Sequence, residues 1–115
     1  MYNKIGDSVK TLEKYGIKFR NENLLSKALT HTSYAYENNL ESNERLEYLG
    51  DAVLEVLMSD YLYKNTNFHE GKMSKIRSSY VCENALYEYA KKINLRDFIK
   101  LGNGMATYVG IALFV

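Results

Sequence analysis

An all-helical domain is what this sequence predicts, and two observations carry the prediction. None of the 115 residues is proline. The apolar positions recur three and four residues apart, as on one face of a helix, and not in the alternation of a half-buried strand. The periodic stretches place helices at about residues 8–15, 23–29, 31–37, 42–63, 71–80, 83–92 and 95–99. Asn38-Asn39 separates the third from the fourth, and Asn65-Thr66-Asn67 the fourth from the fifth; these are the clearest polar linkers. Ser42 or Asn43 stands where a cap for the long fourth helix belongs. No repeat, low-complexity tract or second domain is visible. With 46% hydrophobic residues the chain supports one compact domain with a modest core.

The fourth helix holds the most informative run, Asn43-Glu44-Arg45-Leu46-Glu47-Tyr48-Leu49-Gly50-Asp51-Ala52-Val53-Leu54. It sets three carboxylates in a stretch that otherwise reads as buried helix. At about 100° per residue, Glu44, Glu47 and Asp51 fall within roughly 60° of one another, while Leu46, Leu49, Val53 and Leu57 occupy the opposite side. The apolar side is expected to pack and the other to gather negative charge. Crowded carboxylates repel and are costly to desolvate, so a divalent cation among them makes physical sense. A solvated acidic face is the alternative, and the spacing alone fits both. Further along, however, the acidic side continues as Leu54, Met58 and Leu62, which a solvent face would not do. Glu55 lies close in angle to the acids but a turn beyond Asp51, where a surface or interface role is expected.

The literal string is more specific than its spacing. ERLEYLGDAVL resembles the signature of the ribonuclease III family, metal-dependent nucleases that cut double-stranded RNA. Upstream, Ala28-Leu29-Thr30-His31-Thr32-Ser33-Tyr34 is similar to the family's ALTHxSY element. Downstream, Glu70-Gly71-Lys72-Met73-Ser74-Lys75-Ile76-Arg77, the helix from Glu83 to Ala90, and Leu101-Gly102-Asn103-Gly104 follow the family's order and spacing. Roughly residues 8–104 are covered.

The resemblance implies a ribonuclease III-type helical endonuclease domain and gives residues their roles. Glu47 and Asp51 match metal ligands, Asp51 also having a direct catalytic role, and Glu44 matches a supporting catalytic position that acts through water or a second metal. Tyr48 matches an aromatic plug that enters a socket on a partner subunit, so a symmetric homodimer is implied. Gly50, without a side chain, leaves room for a second helix. Oxygen ligands suit Mg²⁺, with Mn²⁺ as a substitute.

The departures matter as much. Beyond its LGxG element the family has a Gly-rich polar loop and then a helix carrying an Asp and, three residues later, a Glu that complete the site. Here no charged residue follows Lys100. Residues 1–104 therefore read as the N-terminal part of the catalytic domain. Residues 105–115 read as a divergent apolar tail where the second acidic helix belongs, with no double-stranded RNA-binding domain. A chain with half the ligand set is expected to be a weak nuclease or an inactive one.

Charge and composition complete the expectations. The net charge of +1 argues against strong nucleic-acid binding by this domain alone, since phosphate contacts supply most nonspecific affinity. Lys72, Lys75 and Arg77 are candidate RNA contacts, with a solvated face as the equal alternative; Lys91 and Lys92 read as solvated. Duplex RNA would be recognised by shape, 2′-hydroxyls and phosphates. The lone Cys82 excludes an internal disulfide, fits a reducing compartment and reads as a small buried side chain. His31 and His69 lack metal-ligand spacing, and His31 is expected to order its helix. The eleven tyrosines read mainly as packing. Residues 1–7 lack an apolar signal region and the terminal apolar run is too short to span a bilayer, so cytoplasmic residence without a membrane is expected. Two other functions compete: a noncutting relative of the same fold that binds ribosomal RNA, which retention of Glu44, Glu47 and Asp51 disfavours, and an RNA-independent helical dimerisation module.

Overall fold

The structure is a computed structural model that describes residues 4–103. Six α-helices follow one another: α1 (Lys4–Glu13), α2 (Glu22–Ala28), α3 (Thr32–Asn38), α4 (Glu44–Asn65), α5 (Glu70–Tyr80) and α6 (Glu83–Lys92), then a 3₁₀ turn at Leu95–Phe98. The all-helical expectation holds. Among the described residues the only extended pairing is an isolated parallel bridge between Thr30 and Lys100. The tail expected at residues 105–115 lies outside the described residues.

The helix ends follow from local chemistry. The Asn21 side-chain oxygen accepts the N–H groups of Asn23 and Leu24, at 3.0 and 3.3 Å, and so starts α2. His31 caps α3 by accepting the Ser33 N–H at its Nδ1, 3.2 Å away, as expected of a residue that orders its helix. That helix stops at Asn39, whose φ of 53° is left-handed, a conformation asparagine tolerates better than most residues. Asn43 stands at the N-cap of α4, yet its Nδ2 donates back to the Ala28 carbonyl at 3.2 Å; the Ser42 hydroxyl accepts the Glu44 N–H instead, at 3.3 Å. At the far end of α4 the Thr66 hydroxyl donates to the Leu62 carbonyl, 2.7 Å away.

Packing runs round the chain. α1 lies on α2 and on the 3₁₀ turn, α4 on α5, α5 on α6, and α6 on the 3₁₀ turn. The centre of the core sits at the α2 end, where Leu25, Leu29 and Ile99 are buried with Val9, Leu12, Leu95, Phe98 and Leu101 against them. α4, about 33 Å long at 1.5 Å per residue, reaches beyond this core. The extents are 52 × 28 × 23 Å, and the radius of gyration, 15.9 Å, exceeds the roughly 13 Å of a compact domain of 100 residues.

α4 packs on the side opposite to the one expected. On the stripe that continues the acidic face, Leu62 is buried and lines a hollow with residues of α5, Met58 is half-buried and Leu54 is exposed. Leu49, Val53 and Leu57, expected to pack, are exposed, and only Leu46 of that set is half-buried. The physical reason is that α5 contacts the C-terminal half of α4 alone, and no described element covers the other apolar side. Two further readings are corrected. Tyr36, Tyr48, Tyr61 and Tyr63 are exposed, so these tyrosines are not packing residues within the chain. A Cβ at Gly50 would meet nothing within 4 Å, so no described helix uses the space it leaves. Cys82 is also exposed, because it lies at the surface junction of α5 and α6, where its thiol reaches the Ser79 carbonyl at 3.4 Å.

Candidate acidic site on the long helix

The start of α4 is held by the segment that precedes α3. Thr30 is buried, 2% exposed, and its carbonyl accepts the Asn43 N–H at 2.9 Å. On its other side, the Leu29 carbonyl accepts the Lys100 N–H at 2.8 Å and the Lys100 carbonyl accepts the His31 N–H at 3.1 Å. The Ser33 hydroxyl is within 2.8 Å of His31 Nδ1 and accepts the Gly102 N–H at 2.9 Å. With that N–H supplied by Gly102, the hydroxyl proton of Ser33 is free to point at Nδ1, which places the ring proton of neutral His31 on Nε2. The ALTHTSY element and the LGNG element thus form one clamp, from which α4 departs with its first residue, Glu44, facing Thr32. The Thr32 hydroxyl donates to Glu44 Oε1 at 3.2 Å.

Glu44, Glu47 and Asp51 are all exposed on consecutive turns of α4. Although Glu47 is exposed as a residue, desolvation of its carboxyl, and after it the charges of Asp51 and Glu44, hold that carboxyl above its ordinary value. The N-terminal turn of α4 offsets part of this repulsion, because the helix dipole favours negative charge there. Among the described residues no three His, Cys, Asp or Glu side chains converge closely enough to hold an ion by themselves. Beside the acids a hollow of about 640 Å³ is lined by Lys27, Glu44, Arg45, Leu46, Tyr48 and Leu49. Lys27 is already engaged in an ion pair with Glu41, and that hydrogen bond and charge hold the Glu41 carboxyl below its ordinary value.

The three basic candidates on α5 are divided. Arg77 turns onto α4, where its Nε lies 3.0 Å from Glu55 Oε2 and its guanidinium donates to the Ser59 hydroxyl at 2.8 Å. This gives Glu55 an interhelical task. Lys72 lies over the Phe68 ring, 3.8 Å from its centroid, and Lys75 is exposed. Lys91 pairs with Glu88 at 3.1 Å and lies 4.9 Å from the Tyr87 ring centroid. His69 stands at the N-cap of α5 without a side-chain cap bond.

Residues 21–112 match the Ribonuclease-III-like family. The chain belongs to the ribonuclease III family. The matched stretch runs past residue 104, where the resemblance of motifs stops. Ribonuclease 3 of Carboxydothermus hydrogenoformans is 50% identical over 99 residues, which cover 82% of this chain and 42% of that protein. Ribonuclease 3 of Clostridium beijerinckii is 49% identical over 94 residues, 80% of this chain and 40% of that protein. The chain therefore spans less than half the length of these curated relatives. A solved structure of the nuclease domain of ribonuclease III from Campylobacter jejuni superposes with a TM-score of 0.76 at 37% identity, covering 88% of this chain and 69% of that one. The description of that structure refers to flexibility in a region involved in dimer formation. The all-α ribonuclease III-type fold is thereby established for this chain.

Sequence reasoning singled out the acids but not what holds them. Thr32 falls at the unspecified position of ALTHxSY, Asn43 was read as a cap and not as a tie to α2, and Gly102 was visible only as a letter of the LGNG element. The available signal was the short distance in sequence between THTS and NERLE.

Proposed function

We propose that this chain carries part of an endoribonuclease that hydrolyses phosphodiester bonds of double-stranded RNA with a divalent metal, in ribosomal and messenger RNA processing in the cytoplasm. The observation that carries the reading is the acidic face of α4, where Glu44, Glu47 and Asp51 stand on consecutive turns and where desolvation, with the charges of Asp51 and Glu44 after it, raises the Glu47 carboxyl from its ordinary value. A face in that state favours a cation, and its oxygen donors fit Mg²⁺ or Mn²⁺. Glu47 and Asp51 would hold the ion, with Glu44 in support. When bound, the ion supplies an activated water and neutralises charge developing on the phosphate. Asp51 is the residue proposed to act most directly on the reaction.

Carboxylates from one helix hold such an ion loosely, because Mg²⁺ keeps several of its waters. With ligands from α4 alone, cutting is proposed to be weak. Lys72 and Lys75 are the proposed phosphate contacts; Arg77 serves the α4–α5 contact first. Two copies are proposed to pair through α4, with Tyr48 as the plug and the exposed Leu49, Val53 and Leu57 alongside it. No described helix is long and apolar enough to cross a membrane.

Calorimetric titration with Mn²⁺ tests the site. Weak binding by the parent chain, abolished in Glu47→Gln with Asp51→Asn, is the expected result. Equal heats from the two proteins would remove the metal site and the nuclease reading with it.

A further inference from the structure

Glu44 begins α4 and Thr32 begins α3, and the bond between their side chains joins the ALTHTSY element to the acidic face. What sets the distance between these two helix starts is a set of backbone bonds, with the Asn43 side chain added to them. The Asn43 N–H is bound to the Thr30 carbonyl at 2.9 Å, Asn43 Nδ2 to the Ala28 carbonyl at 3.2 Å, and the Thr30–His31 peptide is flanked by the Lys100 bridge. The Thr32 hydroxyl is therefore a fixed point in front of the Glu44 carboxylate, where a free side chain would otherwise sample several rotamers. Neither Glu47 nor Asp51 has a hydrogen-bonding side chain beside it among the described residues, so of the three acids Glu44 alone is oriented by the protein.

We infer that Thr32 is a positioning residue for the acidic site: its hydroxyl holds Oε1 of Glu44 and leaves Oε2 for the water or ion that the face takes. The inference rests on the proposed metal site. Fixing one oxygen means that less side-chain freedom is lost when a cation arrives, which is how a supporting group adds affinity without touching the ion. The β-methyl of threonine is not needed for this, but the hydroxyl is. Serine should therefore serve, and valine, of the same shape, should not.

The experiment is Mn²⁺ calorimetry on the full 115-residue chain, with thermal unfolding of each variant read in parallel. Thr32→Val should weaken Mn²⁺ binding about three- to tenfold, the net range of one ordinary, solvent-exposed hydrogen bond. Thr32→Ser should stay within about twofold of the parent, and Thr32→Val should have no further effect in a Glu44→Gln background. Thr32→Ala replaces the valine variant if that protein does not fold. A brace with no role at the site would lower the unfolding temperature and leave Mn²⁺ affinity unchanged; that result overturns the inference, as does a loss that persists in Glu44→Gln. If Glu47→Gln with Asp51→Asn abolishes the heat while Thr32→Val does not change it, the role of Thr32 alone fails. If those two acids are also without effect, the metal-site reading fails first and the role of Thr32 with it.

Discussion

Replacing Gly102 by alanine should destabilise the chain by about 2–4 kcal/mol, although only one methyl group is added. Gly102 is buried beside the first turn of α3, and a Cβ there would lie 2.8 Å from the Ser33 carbonyl oxygen and 2.9 Å from both the carbonyl carbon and Cβ of Ser33. Two of these three atoms are backbone in a helix, so no rotamer change relieves the overlap. The segment that follows Ile99 must move away from α3 instead. That movement stretches the Gly102 N–H bond to the Ser33 hydroxyl, now 2.9 Å, which accounts for about 1 kcal/mol. Overpacking of a close contact accounts for about 1–3 kcal/mol more.

Gly50 supplies the control. It sits inside α4, where a Cβ meets nothing within 4 Å. Gly50→Ala should therefore stabilise the monomer by about 0.5–1 kcal/mol, through the lower entropy of the unfolded chain and better helix propensity. Urea unfolding followed by circular dichroism, at a concentration where the chain is monomeric, measures both. A Gly102→Ala protein within about 0.5 kcal/mol of the parent would show that the clamp between α3 and the 99–103 segment is loose, and the account of how α4 is anchored would be wrong.

Three further outcomes follow from the same geometry. Leu62→Ala should cost about 2–5 kcal/mol, whereas Leu57→Ala, on the uncovered side, should cost the monomer less than about 1 kcal/mol; equal losses in urea unfolding would contradict the observed orientation of α4. Glu47 has a raised carboxyl pKa in the folded chain, so between its unfolded and folded values the folded state binds the extra proton, and stability falls as pH rises through that window; Asp51→Asn should lower the Glu47 pKa and flatten the loss, as carboxyl NMR and metal-free unfolding at each pH will show. Tyr48, 84% exposed, should matter little to folding, but Tyr48→Ala should shift the chain toward monomer in sedimentation velocity, and an unchanged mass distribution would leave it without an interface role.

Much of the fold was legible because helical periodicity is a local property. Each observed helix falls within a few residues of the stretch that its apolar spacing indicates, and only residues 95–99 tightened to a 3₁₀ turn. The acids of the site were legible for the same reason: three positions on one helix face need no tertiary information. What was not legible is which face of α4 would be covered. Glu44 to Asp51 and Leu54 to Leu62 lie on one stripe, with Leu46 to Leu57 opposite, so both sides offer apolar surface and the pattern alone cannot rank them. Arg77 accompanies that choice, reaching Glu55 and Ser59 where α5 lies on the stripe that also carries the acids. Nor did the sequence reveal the clamp, because backbone bonds such as Asn43 to Thr30 leave no side-chain signal.

The orientation of α4 ties the chemistry of the helix to its association. Its acidic stripe is shared: the N-terminal half carries Glu44, Glu47 and Asp51 toward solvent, while the C-terminal half buries Leu62 against α5. That use of one stripe leaves Leu49, Val53 and Leu57 uncovered on the other side, each at least 47% exposed. A contiguous apolar strip of this kind marks an interaction surface, and here it is rigidly joined to the acids by a single helix. An element docking there would be placed in a fixed relation to Glu47 and Asp51, at about half a helical circumference. In the proposed dimer the same strip would therefore do two things at once, hold the subunits together and set the separation of their two acidic faces. Because α4 is anchored at one end by the clamp at Thr30 and Asn43 and at the other by Leu62, a change at either anchor should reach both.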